Sequence, residues 1–81
     1  MKIYKVTYSG NSTRFNNLEL TVIAKSEREA VEKIYQRVMD DNYFPQDDGS
    51  ILDCDGYEVA TANDNFIEYD GGYFCAEIVE D

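Results

Sequence analysis

Polar and apolar positions alternate at the start of the chain. Tyr4, Val6 and Tyr8 fall on one side, Lys5 and Thr7 on the other. Period two with Tyr, Val and Thr predicts a strand over residues 2–9. Residues 10–17, GNSTRFNN, are polar and predict a turn or loop. Alternation returns over residues 18–24, with Leu18, Leu20 and Val22 on the core side. Two such runs around a short polar loop predict an antiparallel hairpin.

At Ser26 the period changes. Ser26-Glu27-Arg28-Glu29 fits a capping box, in which the hydroxyl takes a backbone N–H and Glu29 reaches back. Ala30, Val31, Ile34, Tyr35 and Val38 then form one apolar helical stripe. Glu29 and Lys33 make a favourably oriented i, i+4 pair. Pro45 biases Phe44 away from helical geometry, so the helix should end near residues 40–42.

Residues 41–50, DNYFPQDDGS, read as an acidic loop. Beyond it, residues 51–54 and 57–61 flank Asp55-Gly56. That pattern is either a two-residue hairpin or one bent strand with a bulge at Gly56. Asn63-Asp64-Asn65 is a turn, and residues 66–70 and 73–79 flank Gly71-Gly72, a second hairpin signal. The expected fold is α+β. It is one domain over residues 1–81, with an antiparallel sheet of four to six strands and one helix packed on one face. The order is ββα, then a C-terminal β meander.

Composition supports a folded chain rather than an acidic tail, since 43% of residues are hydrophobic and 14% aromatic. Ile51, Val59, Ile67 and Ile78 should share the core with part of the aromatic set, leaving some rings outside. The opening residues lack an apolar h-region and no stretch reaches membrane-spanning length. The expectation is a cytoplasmic protein that binds no membrane. Cys54 and Cys75 read as two buried thiols, a single bridge between neighbouring strands being the alternative.

Charge sharpens the picture. No Lys or Arg occurs after Arg37, while residues 38–81 carry thirteen carboxylates. The first 37 residues carry four acids and seven bases. The acidic half opposes direct binding to nucleic acid and favours a basic protein surface. Asp40 and Asp41 stand at the helix C-terminus against the macrodipole, a sign that something besides helix stability placed them there.

Candidate chemistry is thin. With no His, the commonest general base and metal ligand is missing. There is no phosphate-binding glycine loop. Asp53 with Asp55, and Glu68 with Asp70, share a face wherever the strand runs through them, and read as solvated carboxylates rather than an acid/base device. Asp47-Asp48-Gly49 and Asp53-Cys54-Asp55-Gly56 resemble pieces of calcium loops but lack the alternating ligands and closing Glu. The reading is therefore not an enzyme, with no cofactor and no metal. The candidate partner-binding residues are Asp40, Asp41, Tyr43, Asp47, Asp48, Asp53, Asp55, Asp64, Glu68, Tyr69 and Asp70. Tyr beside Asp or Glu offers Arg both a ring face and a carboxylate.

Residues 2–34, with KIYKVTY and LELTVIAKSEREAVEKI, resemble the start of the small DpnD/PcfM-like proteins of bacterial mobile elements. Ala24, Ser26, Glu29 and Ala30 match that family's A-x-S-x-x-E-A approach to a helix. The segment 10–17 and the acidic second half depart from it. The resemblance implies a small accessory or regulatory interaction module and no catalytic residues. In type, a single acidic domain without catalytic residues is similar to phage-encoded anti-defence inhibitors, such as anti-CRISPR proteins and acidic DNA mimics. That likeness implies a non-enzymatic inhibitor, monomeric or homodimeric, acting in the host cytoplasm. It would bind the basic nucleic-acid-binding surface of a host CRISPR-Cas or restriction complex by acidic mimicry.

Overall fold

The computed structural model describes residues 2–39, 42–69 and 71–80. In chain order these form β1 (Lys2–Ser9), β2 (Glu19–Ala24), α1 (Glu27–Val38), β3 (Phe44–Pro45), β4 (Ser50–Leu52), β5 (Glu58–Thr61), β6 (Phe66–Tyr69) and β7 (Gly72–Glu80). Two antiparallel sheets result. The larger has the order β2-β1-β7-β6, and the smaller has the order β3-β4-β5. The fold is α+β, with the helix on one face of the four-stranded sheet.

The opening hairpin follows its alternation. Tyr4, Val6 and Tyr8 are buried, and Leu18, Leu20 and Val22 pack half-buried against them. Ser26 caps the helix by accepting the Glu29 N–H at 3.1 Å. Glu29 reaches one residue further back than a capping box requires, to the Lys25 N–H at 3.4 Å. It also pairs with Lys33 at 3.2 Å. Ala30, Val31, Ile34 and Tyr35 bury the helix stripe against the sheet. Fully burying an Ile or Phe contributes about 1.5–3 kcal/mol each, so these few side chains dominate the fold's stability.

The helix stops earlier than expected, at Val38. Met39 leaves helical geometry while its N–H still bonds the Tyr35 carbonyl. Arg14 satisfies the exposed Val38 carbonyl from outside. The loop before β2 is thus not simply polar. Phe15 from that loop is buried among Tyr8, Tyr69 and Phe74, with ring centroids 5.0–5.9 Å away. The Tyr8 hydroxyl donates to the Tyr69 carbonyl at 2.7 Å and accepts the Ser12 N–H.

Four sequence expectations need correction. The hairpin reading holds at Gly56, but the turn is longer than two residues. The Asp53 carboxylate accepts the N–H groups of Asp55 and Tyr57, so the turn begins two residues before Asp55. Near Gly71, Tyr69 pairs with Gly72, so Gly72 belongs to β7 rather than to the turn. There the backbone of Ser9 and Gly10 leaves no room for a Cβ. Val59 and Ile78 are 44% and 48% exposed rather than core, each beside a break in strand register. In β5 Val59 is itself the extra residue that interrupts the two-residue period, whereas Ile78 keeps the face of Phe74 and Ala76 and the extra residue, Val79, follows it. Lastly, neither thiol is deeply buried or bridged: Cys54 is exposed at a hairpin tip and Cys75 half-buried.

Candidate functional site

Two consecutive hairpins, β3–β4 and β4–β5, share one turn geometry. In the first, the Gln46 N–H donates to the Ser50 carbonyl at 2.8 Å and the Gly49 N–H to the Gln46 carbonyl at 3.1 Å. In the second, the Asp53 N–H donates to the Tyr57 carbonyl at 2.9 Å and the Gly56 N–H to the Asp53 carbonyl at 3.1 Å. Gly49 and Gly56 both adopt the left-handed conformation, with φ of 94° and 87°. This is a tight turn closed by a glycine bulge. It places an Asp immediately before the glycine in each case, Asp48 and Asp55.

The first turn is anchored to the rest of the molecule. Arg28 on the helix donates to the Asp47 carbonyl at 2.7 Å. The Ala62 N–H donates to the Gly49 carbonyl at 2.6 Å. Asp48 turns back on its own loop, accepting the Ser50 N–H and hydroxyl at 2.9 and 2.6 Å. The hydroxyl, then the N–H, lowers the pKa of this exposed carboxyl below its ordinary value. Asp64 lies close by, in the turn between β5 and β6. With Arg28, Asn63, Asn65 and Phe66 it lines an open recess of about 410 Å³.

The candidate acids therefore fall into groups. Asp47, Asp48 and Asp64 gather near Arg28 at one end of the small sheet. Asp53 and Asp55 occupy the opposite end of β4, whose three residues span about 10 Å. Glu68 projects from β6 opposite Tyr73 and lines a recess with Val59, Thr61 and Asn63. Asp40, Asp41 and Asp70 lie outside the described residues. The two candidate tyrosines are used in packing. Tyr43 sits edge-on to Tyr35 at 6.0 Å, and Tyr69 closes the aromatic cluster around Phe74.

Two features escaped the sequence reading. Arg28 carries the junction between helix and acidic turn, and its i, i+4 spacing to Glu32 was the available signal. The second is a strip on the outer face of the small sheet. Phe44 pairs with Leu52, and Leu52 with Glu58. Phe44 and Val59 are 48% and 44% exposed. Only the position of Phe44 among acids hinted at it.

Glu32 is the carboxyl that burial pushes upward, against the pull of Arg28. One of its oxygens is buried without a hydrogen bond, and Arg28 stands 3.8 Å from it, an ion-pair distance too long for one. Among the described residues, no three Asp, Glu or Cys side chains gather to hold a metal ion. No helix is long and apolar enough to cross a membrane among those residues. The chain matches no protein-family model, no curated protein and no solved structure.

Proposed function

We propose that this chain is a non-catalytic binding protein whose acidic turns occupy a basic, nucleic-acid-binding surface of a partner complex. One observation carries the reading. The turns of the small sheet hold Asp47, Asp48, Asp53 and Asp55 at its two ends, on a half of the chain that contains no base. DNA places about one charge per 3.4 Å of axis along each strand. Carboxylates from adjacent turns and strands approach that density over a patch, and a groove built for phosphates attracts them. The likeness in type to anti-defence inhibitors points to a CRISPR-Cas or restriction complex as the partner class.

Competition tests the proposal. Labelled DNA is bound to each of a panel of CRISPR-Cas and restriction complexes, and the protein is titrated in at low and at high salt. Displacement of DNA at low salt, weakened as salt rises, is expected. The combined charge reversal Asp47→Lys, Asp48→Lys should weaken displacement by tenfold or more. A panel in which DNA stays bound at low salt refutes the reading.

A further inference from the structure

The small sheet has two unlike faces. Its inner face supplies Ile51, fully buried in the core. Its outer face carries Phe44, Leu52 and Val59, with Glu58 opposite Leu52. A strand face of this kind normally alternates polar residues outward, so a run of apolar groups there is informative. The acids bracket it. Asp47 and Asp48 stand at one end of β4 and Asp53 and Asp55 at the other. Arg28, the base that reaches this region, is engaged with the Asp47 carbonyl and Glu32.

We infer that this face seats a basic, amphipathic segment of a protein partner, its apolar side chains on Phe44, Leu52 and Val59 and its Lys or Arg groups against the acidic turns. An apolar centre within a charged rim is the anatomy of a binding patch. Charge complementarity selects the occupant. A second copy would bring acid against acid, and an anionic membrane is repelled in the same way. The acidic ends lie about 10 Å apart along β4, a span that two turns of helix cover. The inference rests on the acidic-binding reading above and adds an apolar anchor to it.

Two synthetic peptides of equal charge test it, one pairing Lys with Leu on a helical face and the other pairing Lys with Ser. The full chain should bind the Lys/Leu peptide about tenfold or more tightly than the Lys/Ser peptide. Phe44→Ser with Val59→Ser should abolish that preference. Val59→Ser alone, at a site 44% exposed, should reduce it. Equal, salt-sensitive affinity for both peptides overturns the apolar seat and leaves the acidic reading standing. Failure to bind either peptide at low salt overturns both. A dimer in sedimentation that Val59→Ser dissolves gives the face to a second copy and overturns the inference.

Discussion

The Arg14 guanidinium donates to the Val38 carbonyl at 3.1 Å while lying 5.0 Å over the ring of Phe15. One side chain thus caps the helix C-terminus and holds down the loop that covers the aromatic cluster. A cation at that terminus and a cation over a ring each contribute about 0.3–1 kcal/mol at exposed sites. Arg14→Ala is expected to cost about 1 kcal/mol, lowering Tm by about 4–8 °C in a domain of this size. Phe15→Ala should cost about 3–5 kcal/mol, a large part of the total. Thermal and denaturant melts of both variants check the ranking.

Gly72 and Gly56 make a matched pair of glycines. A Cβ at Gly72 would run into the backbone of Ser9 and Gly10. At Gly56 it would meet nothing within 4 Å, and the cost is conformational, at φ 87°. Gly56→Ala should cost about 1–2 kcal/mol. Gly72→Ala should cost more, about 3 kcal/mol, because backbone must move. Equal losses in urea melts would refute this reading of Gly72.

Glu32 should shape the dependence of stability on pH. Burial raises its pKa, Arg28 opposes the rise, and Glu29 and Asp47 add to it. The folded state therefore holds the proton more tightly than the unfolded chain. The stability this contributes is full below the ordinary value of 4.5 and lost as pH rises through the folded value. Asp48 works in the opposite sense, losing its contribution as pH falls through a lowered value. Glu32→Gln should be more stable than the parent at neutral pH, with the advantage shrinking toward pH 4. Melts over that range that run parallel would count against it.

Salt should stabilise this protein. With a net charge of −10, self-repulsion outweighs the exposed pairs such as Lys5–Glu77, which contribute about 0–1 kcal/mol each. Raising salt from about 0.01 M to 0.5 M shrinks the Debye length from about 30 Å to below 10 Å. Tm is expected to rise across that range, and a fall would show that local ion pairs dominate.

Periodicity made β1, β2 and the helix stripe readable, because each presents a regular face to one core. It failed where one residue interrupts the period: Val59 and Ile78 stand beside register breaks that composition does not announce. It failed again at Phe15, a single aromatic in a polar loop whose burial depends on Tyr8, Tyr69 and Phe74 meeting from three strands. The acidic half was plain in the sequence, but its grouping was not. Which acids neighbour one another depends on Arg28 drawing the first turn to the helix and on Ala62 bonding Gly49. That Tyr43 and Tyr69 pack on core rings was not legible, because an aromatic beside acids looks alike whether it faces solvent or core.

The two strands at the centre of the larger sheet are β1 and β7, the first and last of the described strands, Ile3 facing Glu80 and Ser9 facing Tyr73. Their ladder cannot form until all the chain between them has closed into a loop, so it has a high entropic threshold. The half-made molecule, with β1 and β2 paired and β7 absent, carries an unmatched strand edge beside Tyr4 and Val6. Refolding speed should then be governed by this closure. Joining β7 to β1 with a short linker and reopening the chain between Cys54 and Asp55 would make the slowest contact a local one. Such a rearranged chain should refold faster while keeping the same sheet.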